Sequence, residues 1–270
     1  MAKTMTKIRA IALTLLQDTL RRKVLYLALF ALVLVMVSIG RQMVVLQMAK
    51  EANEPAYIIQ LRTRLPEQVI RLWCNTTLFL AVFLGATGAS SEIAAKTIVN
   101  VFSRPVERSC YLAGRWIGLL CFLWIFQLMG ILVALLVAYY FEVPISPVFW
   151  LLSASMLILP LLYSGLSLSL NVVLPPLLAG TGAFLLQFLP SMAEKTIKNP
   201  ELIVHLPAAA VYYAAPAQMP VDLVHQSFNL ELLHPDYALY CQVLGENLLY
   251  AVVVFVIAGV VFARRELPMR

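Results

Sequence analysis

Residues 148–189 read VFWLLSASMLILPLLYSGLSLSLNVVLPPLLAGTGAFLLQFL, a run with no Lys, Arg, Asp or Glu. Crossing the hydrocarbon core of a bilayer takes about 20 helical residues, so this stretch is long enough to cross twice. Within it stands the adjacent pair Pro175 and Pro176. Adjacent prolines remove backbone donors and end a helix. The pattern therefore predicts two spans, 148–170 and 172–189, joined by a tight turn.

Working outward, four more apolar runs emerge at 24–40, 72–89, 116–141 and 247–263, again with uncharged cores. The chain is 61% hydrophobic and only 13% charged, with a mean hydropathy of +0.85. Soluble domains are about 45–50% apolar and about 25% charged. The expectation is an all-α membrane protein: one transmembrane domain over residues 1–270, with six transmembrane helices. A charge at mid-membrane costs about 3 kcal/mol and commonly marks an ion or proton path. Its absence from these six cores argues against a proton-driven pump with a buried carboxylate.

Charge counting sets the orientation. With six spans, the N-terminus, the 90–115 loop and the C-terminal tail share one side. That side holds 13 of the 20 Lys and Arg and four acids. The other holds seven basic and ten acidic residues, among them Arg41, Lys50, Arg62, Arg64 and Arg71 in the first outer loop. The nets are +9 and −3, so both termini are expected in the cytoplasm. Residues 1–23 do not read as a cleavable signal, because the apolar stretch Ile8–Leu16 is short and runs into Gln17 and Asp18. They read instead as a basic amphipathic helix lying on the membrane surface, with Ile8, Ile11, Ala12, Leu15 and Leu16 on its apolar side. The outer loop 190–246 contains LIVHLPAAAVYYAAPAQM (residues 202–219), a stretch suited to a re-entrant or interfacial segment rather than a seventh span. Cys74, Cys110, Cys121 and Cys241 have no paired or metal-type spacing and are expected as free thiols.

The 89–116 stretch, ASSEIAAKTIVNVFSRPVERSCYLAGRW, is the polar exception between two apolar runs. As a helix, 91–103 sets Glu92, Lys96, Asn100 and Ser103 in one stripe and Ile93, Ala94, Ile98, Val101 and Phe102 opposite. Glu92 before Lys96 is the favourable order for a pair four residues apart. Pro105 takes Arg104 out of helical geometry and ends the segment. Arg108 and Arg115 then flank the third span at headgroup level. Helix–helix connections are commonly about 2–8 residues, so a two-faced helix here is suited to docking a partner beneath the membrane.

This segment resembles the one that follows the second span in type-2 ABC exporter permeases. The resemblance rests on Ser90, Glu92, Ile93, Lys96, Thr97, Ile98, Ser103, Arg104, Pro105, Val106, Gly114 and Arg115. IALTLLQDTLRRKVLY (residues 11–26) resembles that family's opening surface helix, with Asp18, Arg21, Lys23, Leu25 and Tyr26 as matching positions, and VFARREL (residues 261–267) resembles its usual close. At Ser91 the chain departs from relatives that place a basic residue before the Glu. The resemblance implies a subunit paired with a second copy or a close homologue, over two separate ATP-binding subunits that carry ATP and Mg. It implies a coupling helix at 91–103, with Glu92, Ile93, Lys96, Thr97, Asn100, Arg104, Pro105 and Val106 engaging the ATPase. It also implies an elbow helix ending at Asp18, Arg21 and Arg22, and a re-entrant cap in 190–246. The setting would be a cell membrane, such as a bacterial inner membrane. The chain is not expected to be an enzyme or to bind a cofactor itself, since it has no phosphate loop of the form Gly-x-x-x-x-Gly-Lys-Ser/Thr. Nothing in it points to nucleic acid.

Polar residues inside the spans are the candidates for a transport pathway: Asn75, Thr76, Thr77, Thr87, Gln127, Ser164, Ser167 and Gln187. The competing role for such residues is to bond helix carbonyls or neighbouring helices. A mostly apolar lining would suit a lipid-like or amphiphilic cargo. Two rival functions have weaker support. An intramembrane hydrolase needs acids or histidines at membrane depth, whereas His205, His225 and His234 fall in the outer loop near Asp222, Glu231 and Asp236. Their irregular spacing lacks a His-Glu-x-x-His helix and points away from a metal. A non-transporting scaffold or channel would lack an ATPase partner.

Overall fold

A computed structural model describes residues 8–14, 24–51, 55–88, 108–197, 215–216, 222–228 and 237–264. Among these the regular structure is entirely helical. The elements are α1 (8–14), α2 (Val24–Glu51), α3 (Pro55–Gly88), α4 (Arg108–Tyr140), α5 (Val148–Val173), α6 (Pro176–Ile197), α7 (Asp222–Ser227) and α8 (Tyr237–Arg264). Four helices contain segments long and apolar enough to cross a membrane: Arg64–Thr87, Ser109–Tyr140, Val148–Val173 and Tyr237–Arg264. The chain is a multi-pass, membrane-embedded helical protein. Within α2 and α6 the apolar stretches are shorter, Val35–Val45 and Pro176–Gln187.

Most helix ends extend beyond the hydropathy reading; the exception is the expected span 172–189, whose first two residues finish α5 and whose helix starts at Pro176. The expected span 24–40 is part of a helix that runs on to Glu51, and 72–89 is part of one that begins at Pro55. Span 247–263 begins ten residues earlier, at Tyr237, and α6 extends beyond 189 to Ile197. Hydropathy marks where lipid begins, but the backbone ladder continues for as long as each residue finds its i−4 carbonyl. One corollary is a correction. Arg64, Glu67 and Arg71 lie on the same unbroken helix as the second span, and Glu67 is buried. The second transmembrane helix is therefore not free of buried acid.

The Pro175–Pro176 break stands as read. Leu174 caps α5 in extended backbone, as a residue before proline prefers, with its N–H still bonded to the Leu170 carbonyl at 2.7 Å. At the other end, α4 closes through a turn in which Val143 N–H donates to the Ala138 carbonyl at 2.9 Å. Glu142 N–H donates to Tyr139 at 3.2 Å, with Glu142 in the left-handed region at φ 55°. This double bond is the Schellman pattern, a position that favours glycine.

α5 is the centre of the bundle, packed against α3, α4, α6, α7 and α8, while α2 leans on α3. Three apolar clusters stack along the bundle. The middle one is built on Trp73, Leu80, Leu123, Leu162 and Leu166. The apical one joins Leu65, Ile70, Phe141 and Phe149 to Leu223 and Phe228, and the basal one joins Tyr111, Leu112, Leu168, Val172 and Phe262. Helices in lipid pack through close backbone approach and interhelical hydrogen bonds rather than through water exclusion. Gly85 supplies the approach: a Cβ there would stand 2.8 Å from the Ser164 carbonyl oxygen and 2.8 Å from the Ser167 Cβ. Beside it, the Ser167 hydroxyl donates to the Val82 carbonyl at 2.7 Å. Inside α5, Pro160 interrupts the ladder, and the Trp124 indole N–H of α4 donates to the nearby Leu157 carbonyl at 2.9 Å.

The Asp222–Ser227 helix is held at the apical end. Ser146 N–H donates to the Ser227 carbonyl at 3.0 Å, Tyr240 Oη donates to Gln226 Oε1 at 2.7 Å, and Phe228 meets Phe149 edge-on. Of the stretch read as re-entrant, 202–219, only Ala215 and Pro216 fall among the described residues, and both are buried.

Candidate functional site

The residues that carry the family resemblance most strongly, Glu92, Ile93, Lys96, Thr97, Asn100, Arg104, Pro105 and Val106, lie outside the described residues, as do Asp18, Arg21 and Arg22. Their flanks are described. α3 and α4 bracket segment 89–107 and are locked to each other. Trp73, fully buried, donates its indole N–H to the Phe126 carbonyl at 2.9 Å and stacks on the Phe126 ring at 4.9 Å. Gly130 opens the space for that indole, since a Cβ on it would overlap Trp73. At the base, α1 rests on α4, where Ile11 occupies the space over Gly114 and joins the Tyr111–Phe262 cluster. Arg115, expected to lie at headgroup level, is instead buried at 5% exposure. Its Nη1 donates to Tyr111 Oη at 3.0 Å. Within α1 the half-buried Ile8, Ile11 and Ala12 alternate with exposed Arg9, Ala10, Leu13 and Thr14.

The polar residues proposed for a pathway separate into two groups. Ser164 and Ser167 are fully buried between helices: Trp116 Nε1 donates to Ser164 Oγ at 3.2 Å, and Ser167 bonds Val82. Gln127 is buried and donates to Cys74 Sγ at 3.9 Å, and Thr77 bonds the Trp73 carbonyl. The Ser164, Ser167 and Gln127 contacts join neighbouring helices, whereas Thr77 bonds back within α3. Asn75 is exposed and Thr76 half-buried on α3, Thr87 lies at the base of α3, and Gln187 is half-buried on α6.

Asn75 belongs to a face of α3 that hydropathy reading does not isolate. Arg64, Gln68, Arg71, Asn75, Phe79 and Phe83 follow one another at steps of three or four, and all are exposed. The upper part faces α2 across a cleft of about 420 Å³ lined by Ser38, Arg41, Gln42, Gln68 and Arg71 with Val45 and Leu72. No acid is among the residues lining this cleft, and Glu67, one turn from Arg71, is buried. The lower part faces α6 across a cleft of about 670 Å³ whose walls include Phe79, Phe83, Leu177, Gly180 and Phe184. Two hydroxyls border this second cleft, but Thr87 donates to Phe83 and Thr181 to Leu177, each at 2.9 Å, so the surface they present is apolar. Both volumes lie in the range of small-molecule sites, about 300–1,000 Å³.

Depth gives the upper cleft its weight. At 1.5 Å per residue, Arg41 stands about 26 Å from the start of α2 and Arg71 about 26 Å from the end of α3. A hydrocarbon core is about 30 Å thick, so the cleft that both arginines line stands nearly one core thickness from the basal ends of α2 and α3. An arginine held in hydrocarbon costs about 3 kcal/mol, a cost that water or an anion at the cleft relieves. By hydropathy alone these residues read as an outer loop. The available signal was the three–four spacing of Arg64, Gln68 and Arg71 in register with Asn75.

All four cysteines carry free thiols, and among the described residues no group of His, Cys, Asp and Glu is placed to hold a metal ion. His205 and His234 lie outside the described residues. In comparisons with known proteins, the chain matches no protein-family model and no curated sequence.

Proposed function

We propose that this chain is the membrane-spanning permease subunit of an ABC transporter working as an exporter. In this reading it pairs with a second copy or a close homologue. Two ATP-binding subunits, which hold the ATP and Mg, dock at 91–103 on the cytoplasmic side of a cell membrane. Both termini lie on that side, α1 begins the elbow helix, and the 190–246 region with its Asp222–Ser227 helix forms the outer cap. The permease itself hydrolyses nothing.

The observation that carries the reading is the α3–α4 lock at Trp73, Phe126 and Gly130. A segment that takes up force from a partner must be mounted on something that moves as one body, and 89–107 is mounted on both ends of this pair. Nucleotide binding would favour one of two arrangements of the partner dimer. Displacement of 91–103 would then carry α3 and α4 together and change which side of the α3 clefts is open.

The test is purification from native membranes. An ATPase subunit with a phosphate-binding loop should co-purify, and Glu92→Ala and Arg104→Ala should lower its coupled ATP hydrolysis while membrane insertion stays intact. Labelling of single cysteines at 91–103 by an impermeant thiol reagent applied outside intact cells would refute the assignment.

A further inference from the structure

We propose that the exposed face of α3, with α2 above and α6 below, is a two-part binding site for an anionic amphiphile. A phosphate or carboxylate head sits between Arg41 and Arg71, and the hydrocarbon portion lies along Phe79 and Phe83 in the α3–α6 cleft. Naming this ligand as cargo rests on the permease reading; the binding claim does not.

Three features converge on that ligand class. First, the upper cleft offers two guanidinium groups with the amides of Gln42 and Gln68, and no acid in its lining. Guanidinium pairs phosphate and carboxylate through paired N–H donors. Second, the lower cleft is apolar, with aromatic rings on both walls at Phe79, Phe83 and Phe184. Third, the two clefts share one face of one helix. Arg71 stands about 12 Å along α3 from Phe79 and about 18 Å from Phe83, at 1.5 Å per residue. A free inorganic anion would use only the upper half of this arrangement, and an uncharged alkane only the lower. A molecule with both ends uses all of it.

The sequence of burial along α3 supports the same conclusion. Its opposite side, carrying Leu65, Val69, Ile70 and Trp73, is committed to the core. The ligand face is therefore free to vary without unfolding the bundle, which makes the proposal open to mutation.

The experiment uses the purified full chain in a zwitterionic detergent. A fluorescent lysophosphatidylglycerol is titrated against a lysophosphatidylcholine with the same chain and dye, and binding is read by anisotropy. The anionic probe should bind about tenfold tighter at low salt. The double variant Arg41→Gln with Arg71→Gln should abolish that preference while leaving the thermal unfolding midpoint unchanged. Gly180→Leu should weaken both probes alike, since its side chain enters the lower cleft beside Ala86. Equal affinity of the two probes, or an anionic preference that survives loss of both arginines, overturns the head-group site. Displacement of the probe by inorganic phosphate alone, or a Gly180→Leu variant that binds normally, overturns the two-part site in favour of a simple anion cleft. If binding holds but the amphiphile fails to stimulate ATP hydrolysis in the co-purified complex, the ligand site stands and its role as cargo falls.

Discussion

Gly85→Ala adds a single methyl group where α3 presses on α5, and its cost can be worked from the contacts. The new Cβ would meet the Ser164 carbonyl oxygen and the Ser167 Cβ at 2.8 Å each, and the Leu168 nitrogen at 3.2 Å. Carbon contacts are favourable near 3.5–4.0 Å, so the helices must part by about 1 Å. Two of the three obstructing atoms are backbone and cannot rotate away. Overpacking of this kind costs about 1–3 kcal/mol. The same movement stretches the Ser167–Val82 hydrogen bond beyond reach, and interhelical bonds in membranes contribute about 0.6–1.7 kcal/mol. The expected loss is about 2–4 kcal/mol. The assay is reversible unfolding by an anionic detergent from mixed micelles, followed by tryptophan emission. Gly245→Ala is the control, because nothing stands within 4 Å of that position; it should be neutral or slightly stabilising, as alanine is the better helix former. Equal stability of the two variants would refute the close packing described at Gly85. So would full additivity of Gly85→Ala with Ser167→Ala, since both remove one bond.

Two further perturbations separate turn geometry from the α3–α4 lock. Glu142→Gly should stabilise the chain by about 0.5–1 kcal/mol, measured by the same unfolding, because glycine relieves the left-handed backbone at φ 55° in the α4–α5 turn. Gly130→Ala should displace Trp73 from its Phe126 carbonyl, cost about 2–4 kcal/mol and shift tryptophan emission; under the permease function proposed above, it should also depress hydrolysis by the ATP-binding partner more than Glu142→Gly.

The helices that cross the membrane were legible because apolar run length and bilayer thickness are the same physical quantity. α5 falls close to its expected limits, α4 ends where expected but begins eight residues early at Arg108, and Pro175–Pro176 separates α5 from α6 where two missing donors require it. Helix ends were less legible. Arg62, Arg64 and Arg71 interrupt an apolar run without interrupting a backbone ladder, so α3 passes through what read as loop. The candidate site was legible only in part. Asn75 was singled out, but Arg41 and Arg71 become meaningful only when two helices distant in their midpoints stand side by side, which no single-helix pattern encodes. Ser164 and Ser167 illustrate the opposite case: a hydroxyl in a span looks the same in sequence whether it lines a path or clasps a neighbour, and here both clasp.

Pro160 has a consequence for how the protein is made. A proline in mid-helix leaves backbone acceptors short of donors where no water is available to satisfy them. The acceptor left without its usual donor by Pro160 is the Met156 carbonyl, and at the adjacent Leu157 carbonyl the indole of Trp124 supplies a donor from α4. A lone α5 released from the insertion machinery into lipid would lack that bond. α4 and α5, joined by a turn of a few residues, are therefore best delivered to the bilayer as a hairpin, so that the earlier-synthesised helix is already waiting when its defective neighbour arrives.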